Sequence, residues 1–356
     1  MSLQELWFIL IAVLWAGYFL LEGFDFGVGM LLPFLPRDEA QREMMFETIG
    51  PVWDGNEVWL VVAGGATFAA FPAWYASMFS GFYLALLLLL VLLIIRVVSF
   101  EWREKSKSPR WRSVWLGANA LGSFGIPLIW GIAFANLLFG TPLDSTGDFT
   151  GTFRDLFHPY TVVAGVALVV YFAFHGAVFL TLRTSGDLLA RSQQTARRLA
   201  LPAVAAAAIF AVWTVVVAVD RNGKNVFPPV LPAALVIAAA ALAVICVIGG
   251  RSGWSFMMTS LGVVLLVATI STSLYPRVMV SSPSFSNSLT IQNASSAHYT
   301  LVVLTVVALI VLPIVLLYQG WTYHVFRARV TGEETGSLAE LLHTGTDQPR
   351  SPRATI

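Results

Sequence analysis

Long apolar runs separated by short polar stretches organise this chain from end to end. Stretches such as Ala85 to Ile95 are continuously apolar, so the alternating strands of a membrane barrel are excluded and helices are predicted. Hydropathy and helix breakers place nine spans at about 7–33, 51–76, 78–99, 114–139, 160–183, 199–219, 229–249, 254–275 and 299–324. Each is long enough to cross roughly 30 Å of hydrocarbon. The fold class is therefore all-α and polytopic. Gly122, Gly125 and Pro127 interrupt the fourth span, and Pro228-Pro229 opens the seventh. Neighbouring helices re-satisfy the backbone at such breaks. Residues 1–330 form the expected transmembrane domain. Residues 331–356, rich in Gly, Thr, Pro and charge with no apolar period, are expected to be a disordered cytoplasmic tail.

The loops set the orientation. Arg37 and Arg42 follow the first span, and Arg96, Arg103, Lys105, Lys107, Arg110 and Arg112 the third. Arg183, Arg191, Arg197 and Arg198 follow the fifth, Arg251 the seventh, and Arg327 and Arg329 the ninth. The alternate loops are poorer in cations; the one after the fourth span holds Asp144, Asp148 and Asp155 against Arg154. By the positive-inside rule the N-terminus is outside and the C-terminus cytoplasmic in a multi-pass protein of the cell membrane. The first span lacks a basic region with a cleavage site, so it is expected to be retained.

Composition narrows the chemistry. Hydrophobic residues are 57% and charged residues 12% of the chain, which excludes a soluble globular protein, and the net charge of +1 gives no sign of nucleic acid. A single cysteine, Cys246, excludes intrachain disulfides and cysteine-held metal clusters. Only His175, in Phe174-His175-Gly176-Ala177, lies mid-membrane, and a haem or metal needs an axial partner or further ligands. No haem or metal ligand is therefore expected in this chain, and His175 reads as a hydrogen-bonded interior side chain.

The acids are the informative residues. Pro51-Val52-Trp53-Asp54-Gly55-Asn56-Glu57 starts a helix and puts Asp54 and Glu57 in its first two turns, three apart on one face. One reading is of ordinary acids favoured by a helix N-terminus. The other is of a pair that passes a proton through one water. Glu22 and Asp25 lie deeper. Counting back from Arg37 at 1.5 Å per residue puts Asp25 about 18 Å and Glu22 about 23 Å from the inner surface. A lone charge there costs several kcal/mol, so these acids are either protonated and hydrogen-bonded or functional in a hydrated path or partner contact. Gly23 and Gly27 beside them form a small-xxx-small pair for close helix approach. At the inner end of the third span, Arg96, Glu101 and Lys105 are spaced five and four. They read as a helix-surface pairing of Glu101 with Lys105, or with Asp54 as a funnel of titratable groups. The serine-rich stretch 281–296 reads as a solvated loop, or as one folded over a partner.

Gly23-Phe24-Asp25-Phe26-Gly27-Val28-Gly29 followed by Trp53-Asp54-Gly55-Asn56-Glu57-Val58-Trp59 resembles the start of subunit II of cytochrome bd-type quinol oxidases. Ala63-Gly64-Gly65-Ala66, Phe79-Ser80-Gly81-Phe82-Tyr83, Gly131 to Leu137, Leu182-Arg183-Thr184 and Pro276 through Ser288-Leu289-Thr290 extend the likeness to nearly everything but the tail. The resemblance implies two four-helix bundles plus one peripheral helix. It also implies an enzyme that oxidises membrane quinol and reduces dioxygen to water, taking chemical protons from the cytoplasm. Two b-type haems and one d-type haem belong mainly to the partner, subunit I, in a heterodimer. Small single-span accessory subunits and a structural quinone or lipid occur in some members. By motif, the family's proton path along the subunit interface maps onto Asp54, Glu101 and Lys105, with glutamate at 101 where some members have aspartate. Glu22, Asp25 and Glu57 are the expected intramembrane or interface carboxylates. The rival classes are a cation-coupled secondary transporter, which would function without a haem-bearing partner, and a structural scaffold, in which no acid would affect rate.

Overall fold

The structure, a computed structural model, describes residues 1–225 and 227–331 of the 356-residue chain. Its helices are α1 (Leu3–Leu31), α2 (Glu39–Ile49), α3 (Trp53–Ala70), α4 (Pro72–Gly81), α5 (Tyr83–Trp102), α6 (Pro109–Phe139), α7 (Pro159–Arg183), α8 (Gly186–Asn222), α9 (Val230–Ile248), α10 (Ser252–Leu274) and α11 (His298–Val325). A small antiparallel ladder, β1 (Arg277–Met279) with β2 (Leu289–Thr290), precedes α11. Among the described residues eight helices, α1 and α5 to α11, are long and apolar enough to cross a membrane. Apart from Thr331, the expected tail lies outside the described residues.

The span expected at 51–76 is where pattern and structure part. It falls on two helices, because the chain leaves helical geometry at Phe71 (φ −134°, ψ 68°) and Pro72 opens α4. Proline lacks an N–H and suits the first position of a helix better than its interior. The carbonyls that the break frees are satisfied at a distance. Ser296 donates its backbone N–H to Ala70 O at 2.9 Å and its hydroxyl to Ala69 O at 2.7 Å. That part of the serine loop thus closes on its own chain.

Other boundaries move for local reasons. Ser2 and Glu5 form a capping box, so α1 begins at Leu3 rather than near residue 7. The fourth span is not interrupted: α6 runs through Pro127. Gly122 and Gly125 serve close packing instead, since a Cβ on either would stand 2.9 Å or less from Arg96 or Leu92 of α5. Leu188, Ser192, Ala196 and Ala200 recur every fourth residue as a buried stripe and carry α8 back to Gly186. The surface helix α2, too short and polar to register as a span, is capped by Asp38.

Helix α1 is the central pillar, packing against α3, α6, α7 and α10 and touching α11. Its closest approach is to α7. A Cβ on Gly27 would sit 2.1 Å from the Phe172 carbonyl oxygen, and one on Gly176 would sit 2.4 Å from the Gly27 carbonyl carbon. Gly23 meets the Phe172 ring instead. Without a hydrophobic drive between helices in lipid, such backbone proximity supplies the dispersion that holds them.

The cation-rich loops meet on one face. Arg103, buried after α5, donates to Glu39 of α2 at 2.5 Å and also pairs with Glu43, while Arg112 of α6 reaches Glu39 at 3.1 Å. Burial would raise the Glu39 carboxyl, but Arg103 and Arg42 outweigh it and hold the group below its ordinary value. Beyond α11, Val330 donates to Arg183 O at 2.8 Å and Arg329 to Thr184 O at 2.6 Å.

Gly176→Val should cost more than the about 1–3 kcal/mol of ordinary overpacking, because backbone rather than a movable side chain opposes it. Detergent-solubilised protein should lose most of its monodisperse fraction in size-exclusion chromatography. Gly253→Val, where a Cβ meets open space, should behave as the parent does.

Candidate functional site

One acid from α1 and one from α3 meet at a cation that the sequence pattern had placed with the surface charges at the inner end of a span. Arg96 lies three turns into α5, fully buried. Its stem passes Gly122, and its guanidinium lies 4.8 Å from the centroid of Phe26 and 5.5 Å from that of Phe100. Arg96 Nη1 donates to Glu57 Oε1 at 2.8 Å and sits 3.4 Å from Glu22 Oε2. A buried charge of this kind is tolerable only when paired, and here one guanidinium faces carboxylates from two other helices.

Asp25, one turn from Glu22 on α1, is held separately. Asn56 of α3 donates its amide to Asp25 Oδ2 at 2.7 Å. The Asn56 carbonyl oxygen accepts from Gln319 at 3.0 Å and from the Tyr323 hydroxyl at 2.8 Å, both on α11. One amide therefore ties three helices together. Around it several fully buried atoms have no hydrogen-bond partner in the protein: both carboxylate oxygens of Glu22, Asp25 Oδ1, Arg96 Nε and Nη2, and the Tyr18 hydroxyl.

The residues expected at the site separate by exposure. Glu22 and Asp25 are buried, Glu57 keeps 20% of its side chain exposed, and Asp54 is exposed. Asp54 and Glu57 are three residues apart on one face of α3, and Glu57 is joined to buried Glu22 through Arg96. Glu101 and Lys105 are both exposed. The expected surface pairing of these two does not form. α5 ends at Trp102 and a 3-10 turn carries Lys105, which breaks the four-residue spacing. Arg96 leaves that trio altogether by pointing inward.

His175 is an interior side chain. Its Nδ1 is 2.7 Å from Thr259 Oγ1, its Nε2 is 3.4 Å from Leu20 O, and its ring stacks on Phe256 at 4.9 Å. Both ring nitrogens are thus engaged, and a phenyl ring covers its face. Among the described residues no group of three or more His, Cys, Asp and Glu side chains is arranged for a metal ion.

Asn56, Gln319 and Tyr323 were not singled out in advance, and Arg96 was read with Glu101 and Lys105 rather than as the partner of the buried acids. The signal for Arg96 was present: a cation inside Ile94-Ile95-Arg96-Val97-Val98 with no acid in register on its own helix. No equivalent signal marks Gln319 and Tyr323, whose role depends on where α11 packs.

The fold and this site define a multi-pass helical membrane protein with an intramembrane carboxylate–guanidinium cluster. Residues 3–326 match the family model of cytochrome bd terminal oxidase subunit II, and the chain belongs to that family. It is 42% identical over 337 residues to the cytochrome bd ubiquinol oxidase subunit 2 of Bacillus subtilis, covering 94% of this chain and 98% of that one. It is 36% identical over 364 residues to the cytochrome bd-I ubiquinol oxidase subunit 2 of Escherichia coli, covering 93% and 96%. The bd oxidase structure from Geobacillus thermodenitrificans shares the fold, with a TM-score of 0.67 at 16% identity over 97% of this chain and 99% of that one. The protein is thus a membrane subunit of a terminal oxidase, an oxidoreductase complex of electron transport, and it works with a partner subunit.

Asn56→Leu, close in size but without the amide, strands Asp25 Oδ2, Gln319 and the Tyr323 hydroxyl. Each buried polar group left unpaired costs about 1–3 kcal/mol. A lower midpoint of thermal unfolding is the expected outcome, with α11 the first element to gain hydrogen exchange. Asn56→Leu unfolding at the parental temperature would show the amide to be dispensable.

Proposed function

We propose that this chain is subunit II of a bd-type quinol:oxygen oxidoreductase. It stabilises a haem-bearing subunit I and supplies part of the path by which cytoplasmic protons reach the site of oxygen reduction. The observation that carries the reading is the graded row of acids. Asp54 lies exposed, Glu57 half-buried and Glu22 and Asp25 buried, with Arg96 pairing Glu57 and Glu22 and Asn56 holding Asp25 one turn away. A group at the surface takes up a proton from water. Deeper in, Arg96 faces Glu57 and Glu22, and the oxygens of Glu22 and Asp25 without a hydrogen-bond partner in the protein are free to accept from water or to carry the proton.

In this arrangement Asp54 receives the proton, Glu57 passes it inward, and Arg96 steadies whichever carboxylate is ionised. Glu101 and Lys105, exposed beyond the end of α5, take the role of collectors at the mouth, in keeping with the family motif. The haems, two of b type and one of d type, belong to subunit I and supply the redox chemistry there. The engaged nitrogens of His175 agree with that division. With α3 and α4 counted as one crossing the chain makes nine, which suits two four-helix bundles and a peripheral helix; α11, largely exposed, is the candidate for the last. The N-terminus is then extracytoplasmic, and the face joined through Arg103, Glu39 and Arg329 is cytoplasmic.

Asp54→Asn preserves shape and removes titration. Quinol-driven oxygen uptake by the purified complex should fall at least about tenfold, within the range set by losing one positioned proton-transfer group, while haem content per complex stays constant. Undiminished turnover would remove Asp54 from the path. Asp25→Asn tests the stabilising role: recovery of subunit I with its b- and d-type absorbance should drop. A colourless chain that transports cations without such a partner would instead favour the transporter class.

A further inference from the structure

Between α1 and α10 a lateral groove of about 510 Å³ opens on the face that carries the N-terminus of α1. That volume falls in the ligand-pocket range of about 300–1,000 Å³. Phe8, Ala12 and Ala16 form one wall, and Val264, Ala268 and Tyr275 form the other. Ser271 and Thr272 also line it, but their hydroxyls donate back to Val267 O and Ala268 O in their own helix. The groove therefore offers an alkyl surface and no polar group suited to a ring carbonyl. It runs from Glu5 to Ala16 along α1, a length of about 16 Å at the helical rise. That is about half the roughly 30 Å thickness of the hydrocarbon core, or one leaflet.

Two cations lie near its Tyr275 end, Lys224 beside that ring and Arg277 two residues further along the chain. Lys224, just beyond α8, places Nζ 5.7 Å from the centroid of the Tyr275 ring. Arg277, at the start of β1, stacks 3.6 Å from the centroid of Phe285. Among the described residues neither is in an ion pair with a carboxylate. Burial, and then the neighbouring Arg277, hold the Lys224 ammonium below its ordinary value, so two like charges sit together uncompensated. The acid that lines the groove, Glu5, is already committed. It accepts from the Tyr275 hydroxyl at 2.9 Å and from the Ser2 N–H at 2.7 Å.

We propose that this groove binds one anionic phospholipid, an acyl chain lying between α1 and α10 and the phosphate held by Lys224 and Arg277. Apolar length of one leaflet below paired cations at headgroup depth matches that molecule and no soluble one. Guanidinium and ammonium groups both bind phosphate by charge-assisted hydrogen bonds. The cationic headgroup of phosphatidylcholine would meet two cations and be disfavoured. The inference is independent of the proton path, since no residue of one belongs to the other.

Native mass spectrometry of the delipidated whole complex, given equal amounts of dioleoylphosphatidylglycerol, dioleoylphosphatidylcholine and a ubiquinone, tests this. One phosphatidylglycerol should be retained at least about fivefold over phosphatidylcholine, in line with attraction by two basic groups. The pair Lys224→Gln with Arg277→Gln, which touches no helix interior, should erase that preference. Ala268→Trp should lower retention of both phospholipids. Equal retention of the two phospholipids by the parent, a preference that survives the charge variants, or retention of the quinone ahead of phosphatidylglycerol with sensitivity to Ala268→Trp would each overturn the assignment.

Discussion

Burial of the Arg96 guanidinium is the constraint on which the rest of this molecule depends. A bare cation in such a place would be prohibitively costly, and the chain meets the cost by bringing Glu22 from α1 and Glu57 from α3 to it. Those two pairings fix the relative height and rotation of α1, α3 and α5. Gly122 makes room for the stem and Phe26 and Phe100 cover the charge, so α6 and the inner end of α5 are bound into the same arrangement. A substitution at any of these positions acts on all of them.

The same constraint gathers more acids than cations around this point of the bundle, and the proposed proton path uses that excess. Two carboxylates, Glu22 and Glu57, share the one guanidinium, and Asp25 lies one turn along α1 from Glu22. Asn56 keeps Asp25 apart from the arginine and anchors it to α11 through Gln319 and Tyr323. Helix α11 is otherwise mostly exposed, so its attachment rests on this polar hook and on Trp7, whose indole donates to Leu301 O and Thr305. Helix attachment and the proposed proton path thus share the same few atoms.

Much of this was legible in the chain. Apolar runs located the eight long helices, because in lipid every backbone group must be satisfied within its helix. Glu22 and Asp25 stood out because an acid in such sequence is costly to bury. The break at Phe71-Pro72 was missed because the apolar run continues across it while the backbone does not, its carbonyls being taken up by Ser296 some 225 residues away, between Ala70 and the loop before α11. Arg96 was misread because hydropathy reports where a charge lies along the chain and not which way it points. The Glu101–Lys105 pairing failed for a related reason: helical spacing was assumed past the residue where the helix ends. Partners on distant helices, such as Gln319 for Asn56, follow from packing alone.

A double-mutant cycle between Arg96 and Glu22, read as thermal unfolding of the purified complex, tests the central claim most directly. Arg96→Met and Glu22→Gln should each destabilise, and the double variant should recover part of the loss, giving a coupling of about 1–3 kcal/mol. Additivity of the two within about 0.5 kcal/mol would mean that the buried carboxyl is a neutral, independently hydrogen-bonded group, and the account of a charge-paired core would be wrong.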